Sequence, residues 1–151
     1  MSERRQFCTF WMGKRLYGMP VDEVQEVMRE QTMTRVPLAG SAVRGLINLR
    51  GKIVTAIDLR KGLGLGEEKI NGPLMNVVVS SEEYTVSFLV DAIGDVLDVG
   101  EESFESVPET LQGEARKLVA GVYKLQNGLL HVLDAEKCVQ IGDADKQEAA
   151  E

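Results

Sequence analysis

Residues 43–59 read VRGLINLRGKIVTAIDL, and residues 119–135 read VAGVYKLQNGLLHVLDA. Both stretches have the same layout: a glycine, a short apolar run, a turn, a second apolar run and a closing aspartate. Gly45 recurs as Gly121 at an offset of 76 positions (121 − 45), and the aspartate recurs at the same offset. Self-similarity of this length marks a repeated structural unit. The chain is therefore predicted to contain two similar halves.

A shorter repeat lies upstream of each copy. Residues 21–28 read VDEVQEVM and residues 90–97 read VDAIGDVL, at an offset of 69 positions (90 − 21). Valines three apart in the first of these segments fit a helix, but β-branched residues favour extended chain. We predict a helical turn at Val21–Glu23 and a strand from Val24 onward.

The repeat suggests one domain over residues 1–151, built from two subdomains. Subdomain one is predicted at about residues 15–70 and subdomain two at about 75–134. The terminal segments 5–12 and 135–141 are free to cross between them. The remaining residues, 142–151, form an acidic polar tail that is expected to fray.

Short apolar runs recur at roughly ten-residue spacing, which predicts an all-β sandwich or barrel. Asn127-Gly128 is a strong hairpin signal, and a strand is predicted at Val96–Val99. Asp58 and Asp134 are each predicted to cap a short helix, because a side-chain oxygen there accepts orphan backbone N–H groups. A pair of catalytic carboxylates is the alternative. A further short helix is predicted within residues 108–118.

The composition excludes several classes of function. The net charge is −7 and aromatic residues make up 5% of the chain. Both values oppose a nucleic-acid-binding barrel, which needs a basic groove with interleaved aromatic residues. No run of about 18 apolar residues is present, so no segment is predicted to insert into a membrane. The N-terminus has no apolar core of a signal peptide.

No residue type points clearly to catalysis, a cofactor or a metal. His131 is the only histidine, and no nucleophile motif accompanies it, so it is interpreted as a structural strand residue. Cys8 and Cys138 lack metal-ligand spacing. Both are expected to be reduced and at least partly buried, and a disulfide between them is the alternative. We therefore predict no catalytic residue, no cofactor and no metal site.

Two charged residues stand in unusual surroundings. Glu26 is embedded among valines, and Arg50 occupies a predicted hairpin turn with Gly51 and Lys52. Such charges are commonly solvated side chains without a specific role. The alternative is that they lie at a contact surface, or pair with each other across the barrel.

The run from Val43 to Val54 resembles the conserved signature of CheW-like chemotaxis coupling proteins. The resemblance extends over about residues 7–139. It implies two pseudo-repeated SH3-like five-stranded β-barrels with short helices, including a C-terminal helix. It also implies a protein without enzymatic activity or cofactor. Such a protein bridges the cytoplasmic tip of methyl-accepting chemoreceptors and the regulatory domain of a CheA-type histidine kinase.

The resemblance also identifies a candidate protein-interaction surface. Its members are Val24, Glu26, Gly45 and Arg50 in the first half and Ile93 and Gly121 in the second. The Glu26–Arg50 pair resembles a charge pair that shapes the receptor-facing groove. The glycines would let a partner's backbone approach closely, because a Cβ would obstruct it. On this basis Gly45→Asp should weaken partner binding more than stability.

Three related functions remain open. The chain would be cytoplasmic and recruited to membrane-associated receptor arrays if it couples receptors to a kinase. It could instead serve another motility pathway, such as gliding or type IV pili. A third alternative is an adaptor that binds the kinase without receptors.

Overall fold

The computed structural model describes residues 3–29, 31–37, 42–65, 73–109 and 111–141. The described chain is mostly β, as predicted. The strands are β1 Arg4–Met12, β2 Arg15–Pro20, β3 Val24–Arg29, β4 Val43–Leu49, β5 Lys52–Asp58, β6 Met75–Ser80, β7 Thr85–Val90, β8 Ala92–Gly100, β9 Phe104–Glu105, β10 Val119–Leu125 and β11 Gly128–Leu133. The α-helices are α1 Leu59–Gly62, α2 Glu114–Leu118 and α3 at residues 135–141. Two 3-10 turns lie at Val21–Glu23 and Glu101–Ser103. The predicted tail 142–151 lies outside the described residues.

The strands form two sheets. One has the order β3-β6-β7-β5-β4 and is called barrel 1 below; the other has the order β8-β1-β2-β11-β10-β9 and is called barrel 2. In barrel 1 the segment after β3 returns to β4 through a bridge between Thr34 and Leu46. In barrel 2 the corresponding closure is made by β9, which follows β8 and pairs with β10. In each barrel, the segment that follows the first strand of the sheet order (β3 or β8) pairs with the equivalent strand near the other end (β4 or β10).

The two repeats exchange their N-terminal hairpins. By sequence, β3, β4 and β5 are the equivalents of β8, β10 and β11. The hairpin β1–β2 nevertheless lies in barrel 2, and the hairpin β6–β7 lies in barrel 1. The order β3-β6-β7-β5-β4 in barrel 1 corresponds strand by strand to β8-β1-β2-β11-β10 in barrel 2. The parallel pair β5–β7 of barrel 1 thus corresponds to the parallel pair β2–β11 of barrel 2. The duplication is therefore an intertwined pair of barrels.

This exchange differs from the predicted division into residues 15–70 and 75–134. Strand β2 pairs with β11, and β6 and β7 pair with strands of the first repeat. The physical reason is that strand pairing can join segments that are far apart in the sequence. A repeat identifies which strands are equivalent, but either copy of a hairpin can offer a compatible edge.

The core has three parts. A cluster in barrel 2 includes Phe7 and Leu130, and a cluster in barrel 1 includes Ile47. The third and largest cluster joins the barrels and includes Tyr17 and Phe88, one from each exchanged hairpin. Burying a large apolar side chain contributes about 1.5–3 kcal/mol, so this shared cluster ties the two repeats into one unit.

The predicted helix caps are confirmed. The Asp58 carboxylate accepts hydrogen bonds from the backbone N–H groups of Arg60 (3.0 Å) and Lys61 (3.4 Å). The Asp134 carboxylate accepts from the N–H of Lys137 at 3.2 Å. Each aspartate is thus engaged at the start of its own helix, which accounts for their recurrence without catalysis.

Candidate functional site

Glu26 and Arg50 form a bidentate ion pair. Arg50 Nη2 donates to Glu26 Oε1 at 2.9 Å, and Nη1 donates to Oε2. Glu26 lies on β3 and Arg50 lies in the turn after β4, which are the two edge strands of barrel 1. The structure thus confirms that the two charges pair across the barrel. The carboxylate raises the pKa of the Arg50 guanidinium above its ordinary value.

The turn that carries Arg50 is held in an unusual backbone conformation. Arg50 has a φ of 52°, in the left-handed region that residues other than glycine rarely occupy. The side-chain carbonyl of Asn48 accepts a hydrogen bond from the N–H of Gly51 at 2.9 Å and closes the turn. The Arg50 side chain remains 71% exposed despite its ion pair. The turn therefore presents an oriented guanidinium at the surface.

The two glycines have a different role from the one expected. Both Gly45 and Gly121 are buried. A Cβ on Gly45 would lie 2.7 Å from the carbonyl oxygen of Thr34, and a Cβ on Gly121 would meet the ring of Phe104. The atoms that approach these two glycines closely therefore belong to the segments that close each barrel, whereas a partner's backbone was expected there. The expectation that Gly45→Asp affects binding more than stability is therefore revised, because any side chain there collides with the protein itself.

An apolar face lies where the edge strands β3 and β8 come together. Val27 on β3 is 39% exposed and Val96 on β8 is 59% exposed. Together with Ile93 and Cys8 they line a small cavity of about 70 Å³. We call this region the β3–β8 face. It is built from equivalent strands of the two repeats, one from each barrel.

The predicted site residues are only partly brought together. Val24 and Ile93 are half-buried repeat equivalents (93 − 24 = 69) that pack against the shared core cluster. Both lie at register irregularities of their strands. Sequence reasoning missed Val27 and Val96. Their signal was present, because they too are repeat equivalents (96 − 27 = 69) and are apolar in both copies.

His131 is a buried structural residue. Its Nδ1 lies 3.1 Å from the carbonyl oxygen of Leu16, so this nitrogen must carry the proton and donate it. The imidazole lies beside Tyr17, with 5.4 Å between the ring centroids and an angle of 39° between the ring planes. Burial lowers the pKa of His131 below its ordinary value. The ring is thereby kept neutral and fixed in one orientation.

The cysteines and acidic residues also lack the features of a reactive site. Cys8 and Cys138 are both free thiols, and burial raises the pKa of each. No group of three or more potential metal ligands occurs within the described ranges.

No helix in the part of the chain that the structure describes is long and apolar enough to cross a membrane.

Comparisons with known proteins agree with this architecture. The model of the CheW-like domain matches residues 6–142. The chain is 33% identical to the chemotaxis protein CheW of Bacillus subtilis over 130 residues, covering 86% of this chain and 83% of that protein. The crystal structure of the scaffolding protein TtCheW from Thermoanaerobacter tengcongensis superposes with a TM-score of 0.79 at 26% identity, covering 87% and 90% of the two chains. A weaker relative is protein PilI of Pseudomonas aeruginosa, 25% identical over 76% of this chain and 64% of that protein.

Proposed function

Because the chain belongs to the CheW-like family, we propose that it is a non-catalytic adaptor that couples chemoreceptors to a CheA-type histidine kinase. A scaffold function in chemotaxis follows from the family. The finer proposal is that one surface binds the cytoplasmic tip of a transmembrane receptor and another binds the regulatory domain of the kinase. The protein would work in the cytoplasm and be recruited to membrane-associated receptor arrays.

The observation that carries the receptor part of the proposal is the β3–β8 face. Val27 and Val96 are exposed apolar side chains on two adjoining edge strands, and clustered exposed apolar residues mark interaction sites. Glu26, which pairs with Arg50 of the turn after β4, lies next to Val27 on β3. The Arg50 guanidinium is held in one orientation, so it can act as a fixed polar rim beside an apolar contact. We propose that the receptor tip binds here.

A second partner needs a separate surface. Ile53, at the start of β5, is 65% exposed, the highest value among the large exposed hydrophobic residues of the described chain. It pairs with Asn48 of β4 beside the Arg50 turn. We propose that the kinase regulatory domain contacts this end of barrel 1.

The test uses two variants that serve as controls for each other. Receptor-containing membranes and a CheA-type kinase are mixed with the protein, and co-sedimentation and kinase autophosphorylation are measured. Val27→Asp should lose sedimentation with receptors while retaining the kinase, and Ile53→Asp should do the reverse. Both variants should lose kinase activation. If the parent protein sediments with neither partner, the proposed function is wrong.

Two alternatives correspond to distinct outcomes of this assay. Binding to the kinase without receptors would identify a specialised adaptor that redirects the kinase. The similarity to PilI favours, as the second candidate, an adaptor of the same family in another motility pathway. In that case receptors and kinase of the chemotaxis pathway would fail to bind, and those of the other pathway would bind in their place.

A further inference from the structure

A large groove opens on barrel 2, between the β1–β2 turn and the β10–β11 turn. Its volume is about 710 Å³, within the range of about 300–1,000 Å³ that is usual for small-molecule sites. Its apolar surface is formed by Leu16, Leu97 and Leu125, which are half-buried. Trp11 and Leu129 line it as well and remain 40% and 38% exposed. The groove therefore offers an aromatic ring and several aliphatic side chains to a ligand.

The charge of the groove is opposite to that of the protein. Aspartate and glutamate outnumber lysine and arginine by 24 to 17 in the chain. Among the described residues, however, the groove is lined by Lys14 and Arg15 and by no acidic residue. Neither cation forms an ion pair with a carboxylate in the described part of the chain. Two cations at the rim of an apolar groove are complementary to an anion with an apolar body.

The equivalent position in barrel 1 serves as an internal comparison. The register of the strands places Ser80 and Thr85 where barrel 2 has Trp11 and Leu16. The two hydroxyls are hydrogen-bonded to each other at 3.0 Å. Glu83 stands where barrel 2 has its cationic turn lysine. The apolar cationic groove is thus a property of one barrel only, and the fold does not require it.

The topology favours a compact ligand over an extended peptide. Strands β1, β2 and β11 each have a paired neighbour on both sides, and β10 pairs with β11 on one side and with β9 at Val122 and Tyr123 on the other. Most of their backbone groups are already used in the sheet, which leaves little free strand edge for an added peptide. Recognition must come from side chains, through an apolar surface and the two cations.

We propose that this groove binds a small amphipathic carboxylate. The apolar body of the ligand lies against Trp11 and the leucines. The carboxylate lies at the rim between Lys14 and Arg15, where an Arg side chain can bind it with two hydrogen bonds. Of the ring nitrogens of His131, Nδ1 is used by the backbone, so Nε2 can accept a hydrogen bond from a ligand hydroxyl.

The purified protein is sufficient for the test, so the result does not depend on the proposed receptor and kinase. Trp11 is the only tryptophan, and its fluorescence therefore reports on the groove alone. The protein is titrated with octanoate, 1-octanol and octylamine, which share the same apolar chain. Octanoate should give a saturable change in Trp11 emission and bind at least about tenfold more tightly than octylamine, as expected for charges at a partly exposed rim.

Two double variants that change the net charge by the same amount distinguish an effect of charges in the groove from an effect of the overall charge of the protein. Lys14→Glu/Arg15→Glu should lower the affinity for octanoate at least about tenfold. Lys52→Glu/Lys61→Glu, at exposed positions outside the groove lining, should leave it unchanged. The proposal is overturned if octanoate gives no saturable signal, if octylamine binds equally well, or if both variants behave alike. Binding of an acidic peptide without binding of octanoate would also overturn it, and would identify a protein-docking groove.

Discussion

Replacement of Asp91 by alanine should destabilise the protein by about 3–5 kcal/mol, the usual cost of breaking a buried ion pair. Asp91 Oδ2 accepts hydrogen bonds from Arg60 Nη1 at 2.6 Å and from the backbone N–H of Gly13 at 2.7 Å. The side chains of Arg60 and Asp91 are only 6% and 12% exposed. One carboxylate therefore ties α1 and the β1–β2 turn of the first repeat to the end of β7 in the second.

The magnitude follows from what the substitution leaves behind. Alanine at position 91 removes a carboxylate that pairs with the buried guanidinium of Arg60, whose desolvation has already been incurred on folding. Domains are stable by about 5–15 kcal/mol, so the expected loss is a large fraction of the total. With a slope of about 1–3 kcal/mol per molar urea, the midpoint of denaturation should fall by at least about 1 M. Circular dichroism provides the readout.

The duplication provides a matched control. Asp22 is the repeat equivalent of Asp91 (91 − 22 = 69), but it is exposed. The equivalent of Arg60 is Glu136 (136 − 60 = 76), so no cation stands opposite Asp22 at that position. Asp22→Ala should change stability by no more than about 0.5 kcal/mol.

A second variant separates loss of the ion pair from general disruption. Arg60→Met/Asp91→Leu replaces both charges by apolar groups and should recover most of the stability, because such replacements are often neutral or stabilising. If Asp91→Ala stays within about 1 kcal/mol of the parent protein, well below the cost of a broken buried pair, the reasoning is refuted.

Three further predictions concern single positions. Gly45→Ala should destabilise by about 1–3 kcal/mol in urea denaturation, because its methyl group would press on the carbonyl of Thr34; a neutral result would contradict the tight contact. Burial lowers the pKa of His131, so the unfolded state binds a proton more readily, and the free energy of unfolding should fall as the pH drops below about 6.5. His131→Gln should lessen that fall between pH 7.5 and 5.5, and identical pH dependence in both proteins would exclude this origin. Burial also raises the pKa of Cys138, so iodoacetamide should modify Cys8 first in the native protein, as followed by mass spectrometry; equal rates would contradict the burial of Cys138.

Local features of the fold could be predicted from the sequence because their causes are local. The cap at Asp58 depends on residues within a few positions of each other. The same holds for the β10–β11 turn, which the structure places at Gln126-Asn127, one residue before the Asn-Gly pair that predicted it. Strand β8 shows the limit, since it was predicted only over Val96–Val99 but begins at Ala92. Its first residues include a glycine and become a strand by pairing with β1. Strand β9 was missed for the same reason, because its two residues are defined by pairing with β10.

Within the candidate site, only a direct contact between two side chains could be predicted from the sequence. The Glu26–Arg50 pair was anticipated as one of two alternatives, and the structure confirms it. The role of Gly45 was misjudged, because a glycine that admits a neighbouring backbone looks the same in sequence whether that backbone is its own or a partner's. The β3–β8 face could not be located, since it requires knowing that edge strands of the two barrels adjoin.

Comparison of the repeats separates residues that make the fold from residues that make sites. Among the positions that are identical in both copies, Gly45 and Gly121 seat the closing segments, and Asp58 and Asp134 cap helices. The ion pair is different: Glu26 corresponds to Asp95 (95 − 26 = 69) and Arg50 to Gln126 (126 − 50 = 76), so barrel 2 lacks it. The same divergence gives barrel 2 the cationic groove and barrel 1 the hydroxyl pair. Because both barrels fold with either set of residues, these differences are not needed for folding. Specificity should therefore be sought at such unshared positions, beside the apolar face that the shared residues Val27 and Val96 form.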